Sequence, residues 1–408
     1  MAVYLLATLD TKGVELDFVR SELRRCGLAS VVVDAGCLGE PAITPDVSRE
    51  QVFAAAGTTL AAVRERNDRG EAVTLAAAGA ANLVAAAYAR GEVHGVLGIG
   101  GSAGATIGTA AMRALPLGVP KVMVSTLASG QTRPYVGGKD IFMLNAVVDI
   151  AGLNRISRTV LSAAARAMAG LLHFPKPVLP AGDRPLVAAT MFGVTTPCVD
   201  RARQRLEEAG YEVLVFHATG NGGEALEGLI ADGLIAGVLD ITTTELADEL
   251  VGGVLSAGPT RLTAAGKRGV PQVISVGALD MVNFGPRATV PDKFRDRLFY
   301  QHNPTVTLMR TTPDENRLLG EEIGRKAAAA TGPTAILLPL KGVSAIDAAG
   351  KPFDDPAARE ALFAGIRATH GAVPVVELER HINDAEFADA AVERLVGMME
   401  ARGVSTVG

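Results

Sequence analysis

The residues best suited to chemistry sit in short polar loops, each following an apolar run. Gly100-Gly101-Ser102-Ala103-Gly104-Ala105-Thr106 follows Val96-Leu97-Gly98-Ile99. Glycines there let backbone N–H groups approach phosphate oxygens unobstructed, and the dipole of a helix opening at that point favours an anion. The spacing fits neither G-x-G-x-x-G nor the Walker G-x-x-x-x-G-K-[ST]. A turn that merely lets a helix press on a strand is the competing reading; phosphate binding is preferred because the cluster directly follows a buried strand. Thr8-Leu9-Asp10-Thr11-Lys12 follows the first apolar run. In that loop Lys12 could meet a phosphate as a point charge and Asp10 could hold a hydroxyl or a metal, with helix capping by Asp10 or Thr11 as the alternative. Ser125-Thr126-Leu127-Ala128-Ser129-Gly130 adds the hydroxyls of Ser125, Thr126 and Ser129 near the same rim, or forms an ordinary turn.

In the second half His217-Ala218-Thr219-Gly220-Asn221-Gly222-Gly223 places one imidazole beside a flexible glycine nest. His217 is a candidate acid or base, against the plainer reading of a structural donor. Asp240 ends another apolar run and is a candidate base or metal ligand, whereas Thr242 and Glu245 stand at capping-box spacing and read as structural. Asp280 to Gly285 and Gln301 to Pro304 read as surface loops. The six histidines show no ligand spacing, so no metal site is expected.

These loops need a scaffold, and the chain supplies it twice. Val3 to Thr8, a helix to Arg25 and Val31 to Asp34 are matched by Leu186 to Thr190, a helix to Glu208 and Val213 to His217. Gly27 and Gly210 close the two helices, where a left-handed residue costs least. Gly95-Val96-Leu97-Gly98-Ile99 then matches Gly237-Val238-Leu239-Asp240-Ile241, and Gly118-Val119-Pro120-Lys121-Val122 matches Gly269-Val270-Pro271-Gln272-Val273. The first copy carries an insertion that residues 41–91 fit. Strands alternating with helices imply an α/β fold of two Rossmann-like subdomains, each a doubly wound, mainly parallel sheet, related by internal duplication. The Pro-rich stretch Phe174 to Gly182 marks the joint, giving an N-terminal Rossmann-like subdomain at 1–178, which carries the candidate phosphate loops, and a C-terminal Rossmann-like subdomain at 183–408. Thr334 to Leu338 and Val373 to Leu378 read as further strands, and a last helix runs from about Asp384 to Glu400.

Composition agrees with that scaffold and excludes other classes. At 408 residues, 48% hydrophobic and 20% charged, the chain can bury two cores and is not disordered. Its 39 basic and 44 acidic residues give a net charge of −5, without the basic stripe of a nucleic-acid binder. Ala72 to Tyr88 is apolar but mostly alanine, which reads as a helix of a soluble protein rather than a membrane span. Met1 to Thr8 lacks the positive region of a signal peptide, and Cys26, Cys37 and Cys198 form no disulfide framework, so a cytoplasmic protein is expected.

The strings ATLDTK, GIGGSAGAT, LPLGVPKVMVSTLASG, VVDIAGLN, MFGVTTP, VFHATGNGG, LDITTTEL and GALDMVNFG occur in order from near Val3 to beyond Phe387. Together they resemble the bacterial uncharacterised family homologous to the ATP-binding domain of the tomato mosaic virus resistance protein. The resemblance implies ATP, with Mg²⁺ as its companion, bound by the N-terminal subdomain, and a homodimer. It puts Thr8, Asp10, Lys12, Gly100, Gly101, Ser102, Gly104, Thr106, Ser125, Thr126, Ser129 and Gly130 where the nucleotide would lie. Plant members add a TIM-barrel domain that bacterial relatives often leave to a separate protein, a candidate partner; antiviral activity does not transfer. The alternative is a metabolic enzyme of phosphoryl-transfer, ligase or hydrolase type, acting on a small phosphorylated or carboxylated substrate in a cleft between the subdomains, with His217 and Asp240 as its acid and base.

Overall fold

The computed structural model describes residues 1–174 and 184–404. The chain divides into two compact units, 1–178 and 179–408. The Pro-rich joint from Pro175 to Gly182 falls outside the described residues.

Unit 1 runs β1 (Ala2–Ala7), α1 (Leu9–Arg25), β2 (Ala29–Asp34), α2 (Arg49–Ala55), α3 (Leu60–Arg66), α4 (Arg69–Ala89), β3 (Gly95–Gly100), α5 (Ser102–Arg113), β4 (Lys121–Ser125), α6 (Arg133–Val136), β5 (Phe142–Asn145) and α7 (Arg155–His173). Its five strands pair in the order β2-β1-β3-β4-β5, all parallel. Both sheet faces are covered, which is why the strands read as continuous apolar runs rather than alternating ones. Tyr4 and Leu6 of β1 join the core built with α2, α4 and α5, while Val3, Leu5 and Ala7 join the core built with α1 and α7. The sheet is therefore doubly wound.

The insertion expected at 41–91 is helical, comprising α2, α3 and α4. Its alanine-rich helix α4 is the one helix among the described residues long and apolar enough to cross a membrane. In the fold it packs on α5 and α2 through Ala72, Ala76, Ala80 and Val84. Small residues allow that closeness: a Cβ on Gly79 would stand 1.9 Å from the Val52 carbonyl oxygen of α2.

Unit 2 runs β6 (Leu186–Met191), α8 (Thr196–Glu208), β7 (Glu212–His217), α9 (Asn221–Ala231), β8 (Gly237–Thr242), α10 (Glu245–Val251), α11 (Ala264–Arg268), β9 (Gln272–Gly277), β10 (Met281–Phe284), β11 (Phe299–Asn303), β12 (Val306–Arg310), α12 (Pro313–Ala328), β13 (Thr334–Pro339), α13 (Pro356–Thr369), β14 (Val375–Leu378) and α14 (Ala385–Glu400). Its six-stranded sheet has the order β7-β6-β8-β9-β13-β14, again parallel, so its first five strands repeat the winding of unit 1. Helices cover both of its faces as well.

Three local expectations are corrected. Asp10-Thr11-Lys12-Gly13 is not a loop but the first turn of α1. Gly13 does not break that helix; it is needed because a Cβ there would stand 2.9 Å from the Ala42 side chain. The segment around Asp280 is not a surface loop, because Met281–Phe284 is the wholly buried strand β10 of a three-stranded antiparallel sheet with β12 and β11; Gln301 to Asn303 are at the surface as expected, but as the exposed end of β11 rather than a loop. Thr242 does not cap α10: Thr244 is the N-cap and makes no side-chain cap bond.

Candidate functional site

Strand register brings the loops of unit 1 to one edge. Leu6 pairs with Gly98, Gly100 with Ser125, and Ser125 with Asn145, so Thr8, Gly101 and Thr126 follow their strands at the same carboxyl rim. In this order the chain leaves β1 to one side for β2 and returns on the other side for β3, and such a reversal opens a crevice where ligands of open α/β sheets bind. Both helices flanking the crevice begin at this rim. The N-cap of α5 is Gly101, with no side-chain cap bond, and the N-cap of α1 is Thr8, whose hydroxyl meets Thr11 Oγ1 at 2.7 Å instead.

The glycines of the α5 turn divide between the two readings of the sequence. A Cβ on Gly100 would stand 2.8 Å from Gly104 Cα, and one on Gly104 would stand 3.1 Å from the Ile99 carbonyl. Those two serve close packing of helix on strand. Gly101 is different, for its Cβ would meet only Thr126 Oγ1, at 3.8 Å. The space over the helix start is open, and the first N–H groups of α5 lack a side-chain cap there.

Beside this rim lies a cleft of about 300 Å³. One wall is apolar, formed by Val63, Ala72, Val73 and Ala76 of the insertion with Ile107 of α5; Thr8, Asp10, Arg64 and Arg69 form the polar part. Asp10 Oδ2 accepts the Leu38 N–H at 3.0 Å, and a Cβ on Gly36 would touch the same carboxylate at 2.9 Å. Behind the loop, buried Asp34 accepts N–H bonds from Leu9 and Gly36 and pairs with Arg49 Nε at 2.7 Å. Removing one member of such a buried pair costs about 3–5 kcal/mol, so this pair fixes the loop. Burial, reinforced by Asp10, pushes the pKa of the Cys37 thiol in the cleft upward, against the opposing pull of Arg49, Arg64 and Arg69.

In unit 2 the loops that follow β7 and β8 are tied together by buried charges. Glu245 Oε1 accepts the N–H groups of Gly220 and Gly223 at 2.7 and 3.1 Å, so the glycine nest after His217 holds an internal carboxylate. A Cβ on Gly223 would stand 2.3 Å from that carboxylate, which makes these glycines packing residues rather than flexible ones. Wholly buried Arg261 donates Nε to Glu245 at 2.6 Å and both Nη atoms to Asp240 at 2.6 Å. Burial alone would lower the Arg261 pKa, but Asp240 and Glu245 outweigh it and raise it. The next residue, Leu262, has φ +73°, and Glu227 steadies this turn by accepting the N–H groups of Leu262, Thr263 and Ala264.

Comparison with known proteins agrees across the whole chain. The models of the uncharacterised protein family UPF0261 match residues 1–177 with the N-terminal domain and 184–399 with the C-terminal domain. The chain belongs to the UPF0261 family. A UPF0261 protein of Clostridium tetani is 50% identical over 98% of this chain and 99% of its own. The ToMV resistance protein Tm-1(GCR237) of Solanum lycopersicum is 46% identical over 80% of this chain, which spans only 44% of that longer protein. Among solved structures, the glycosyltransferase SnogD of Streptomyces nogalater aligns over 98% of this chain and 99% of its own, at 12% identity and a TM-score of 0.20. A likeness that loose bears on nothing further.

In the UPF0261 chain Thr8, Gly101 and Thr126 share the open rim, with Ser102 exposed at the helix start and Ser129 and Gly130 exposed in the turn that follows. Three anticipated ligands are engaged elsewhere. Lys12 donates to the Ile150 carbonyl and, with Glu15 accepting the Gly152 N–H at 2.6 Å, pins the loop after β5. Thr106 bonds back to the Ser102 carbonyl at 3.0 Å, and buried Ser125 accepts the Leu127 N–H at 3.1 Å. His217 and Asp240 are not brought together: exposed His217 ends β7 with its ring 5.6 Å from Phe192, while Asp240 lies two strands away with Thr190 and Arg261 on its oxygens. Sequence reasoning missed Asp34, Arg49, Arg64 and Arg69. The only signal for the last three was their place in an insertion that one copy of the repeat lacks.

Proposed function

We propose that unit 1 binds ATP at this rim, with the phosphates over the start of α5 and the base and sugar in the adjoining cleft. The observation that carries the reading is the open, uncapped helix start at Gly101 beside a cleft with an apolar wall and a polar mouth. An anion is favoured there by the helix dipole and unpaired N–H groups, and the cleft volume is at the lower end of ligand pockets, roughly 300–1,000 Å³. Asp10 keeps one carboxylate oxygen beyond its bond to Leu38 and could meet a ribose hydroxyl or a water of Mg²⁺. The ATP binding implied by the family resemblance supports the same reading. Two copies pairing and a separately encoded TIM-barrel partner belong to the proposal on the strength of that resemblance, and a cytoplasmic setting on the strength of the three widely spaced cysteines.

The role is binding rather than rapid turnover, because the lysine expected at the phosphates is committed to Ile150 and the expected base to Arg261. Calorimetry with ATP and ADP, with and without Mg²⁺, tests it. Dissociation constants in the micromolar to millimolar range are expected, about 4 to 8 kcal/mol, and no binding at millimolar nucleotide overturns the reading. Phosphate release near 1 per second, the low end of kinase turnover at roughly 1–100 per second, would overturn the binding-only role.

A further inference from the structure

A bound polyphosphate needs positive charge, and the helix start supplies only the equivalent of about half a unit. Lys12 is turned to the Ile150 carbonyl. The cations lining the cleft are Arg64, near the end of α3, and Arg69, the first residue of α4. Between them Asn67 takes the left-handed conformation, φ +48°, which asparagine tolerates better than most residues, and so folds the short turn that puts both arginines on the cleft.

Their bonding leaves donors open. Arg64 gives Nε to the Cys37 carbonyl at 2.7 Å and Nη2 to the Leu38 carbonyl at 3.0 Å, which fixes its plane and leaves Nη1 without a partner among the described residues. Arg69 is exposed and has no ion-pair partner among those residues, whereas Arg66, on the same turn, pairs with Glu71 at 3.1 Å. The neighbouring acids are occupied: Asp68 caps α4 through the Glu71 N–H at 3.0 Å, and Asp10 holds the Leu38 N–H.

We infer that Arg69, with Arg64 beside it, is the cationic clamp for the ligand's phosphate chain, so that the helical insertion selects phosphorylated over unphosphorylated nucleosides. This rests on the nucleotide reading of the cleft. A guanidinium presents paired N–H donors that match phosphate oxygens, and an exposed, unpaired one loses no internal contact in turning to them. The insertion thereby does the work that a P-loop lysine does elsewhere, from the opposite side of the phosphates.

The test is calorimetric titration of the full chain with ATP, ADP, AMP and adenosine, for the wild type, Arg69→Gln and Arg64→Lys. In the wild type, affinity should climb from adenosine to ATP. Arg69→Gln should weaken ATP about tenfold and adenosine less than twofold, with an unchanged melting temperature. Inorganic pyrophosphate should displace ATP from the wild type and do so more weakly from Arg69→Gln. Equal losses for ATP and adenosine, or unchanged ATP affinity, would overturn the clamp while leaving nucleotide binding standing. A wild type that binds none of the four would remove the nucleotide reading itself.

Discussion

Gly98 in β3 and Asp240 in β8 hold the same place in matched strands, GVLGI and GVLDI, of sheets wound in the same order. Around Gly98 the interior is apolar, closed by the Met123 sulfur, and the helix start beyond it is open. Around Asp240 the interior is ionic, and Glu245, the first residue of the helix that follows, reaches across to the N–H groups of Gly220 and Gly223 at the start of α9. The winding is shared, but side chains decide whether the loops at its rim stay open or are tied to one another. In unit 2 the carboxylate of Glu245, first residue of α10, ties the turn after β8 to the start of α9 after β7, a link between neighbouring loops made by the chain's own charges.

The contrast breaks first at Arg261. Its replacement by alanine leaves Asp240 and Glu245 buried without their counter-charge, and urea unfolding should show a loss of about 3–5 kcal/mol. A loss below about 1 kcal/mol would mean that the ionic link does not hold unit 2 together. Next in size is Gly101→Val. The added side chain covers the open helix start yet meets little protein, so ATP should bind at least about tenfold more weakly with little change in melting temperature. If ATP affinity survives, the phosphates do not lie over α5.

Stoichiometry sharpens the comparison: with the loops after β7 and β8 locked by Glu245, Asp240 and Arg261, one ATP per chain is expected. Two equivalent sites by calorimetry would contradict the locked state. Acidity separates the units as well, because burial raises both Asp248, held by Asn283, and Asp280, beside Asp347 and Arg310, from 3.8 to about 7. The folded chain holds these protons more tightly than the unfolded chain. Their contribution to stability is therefore full below about pH 4, falls as pH rises through about 7, and is level above. Asp280→Asn should flatten part of that fall in urea titrations, and an unaltered profile would remove Asp280 as a source. The smallest effect is expected from Lys12→Met, which should leave ATP affinity within about twofold because Lys12 holds Ile150. A large loss would return Lys12 to the phosphates.

Much of this scaffold was legible because each buried parallel strand is a short apolar run bounded by glycine or a polar turn. GVLGI and its partner GVLDI lie in β3 and β8, and GVPKV and GVPQV lead into β4 and β9. The antiparallel sheet was missed because MVNF carries an asparagine and borders Gly285, although Asn283 is buried against Asp248 Oδ2 at 2.7 Å. At the rim, Gly101 and Thr126 were legible from their strands. Arg69 was not, since an arginine between Asp68 and Gly70 looks like any surface charge until the fold lays the insertion beside β1. Nor could spacing show that Arg261 reaches back 21 residues to Asp240.

The tight crossing of α4 over α2 at Gly79 acts as a pivot. Gly79 and Arg69 belong to one helix, and ten residues at 1.5 Å apiece set them about 15 Å apart. Any side chain at position 79 must push α4 away from the Val52 carbonyl, and a stiff rod displaced at its fulcrum swings at its tip. Ala72, Val73 and Ala76 of the same helix wall the cleft, so a residue outside its lining bears on where that wall stands.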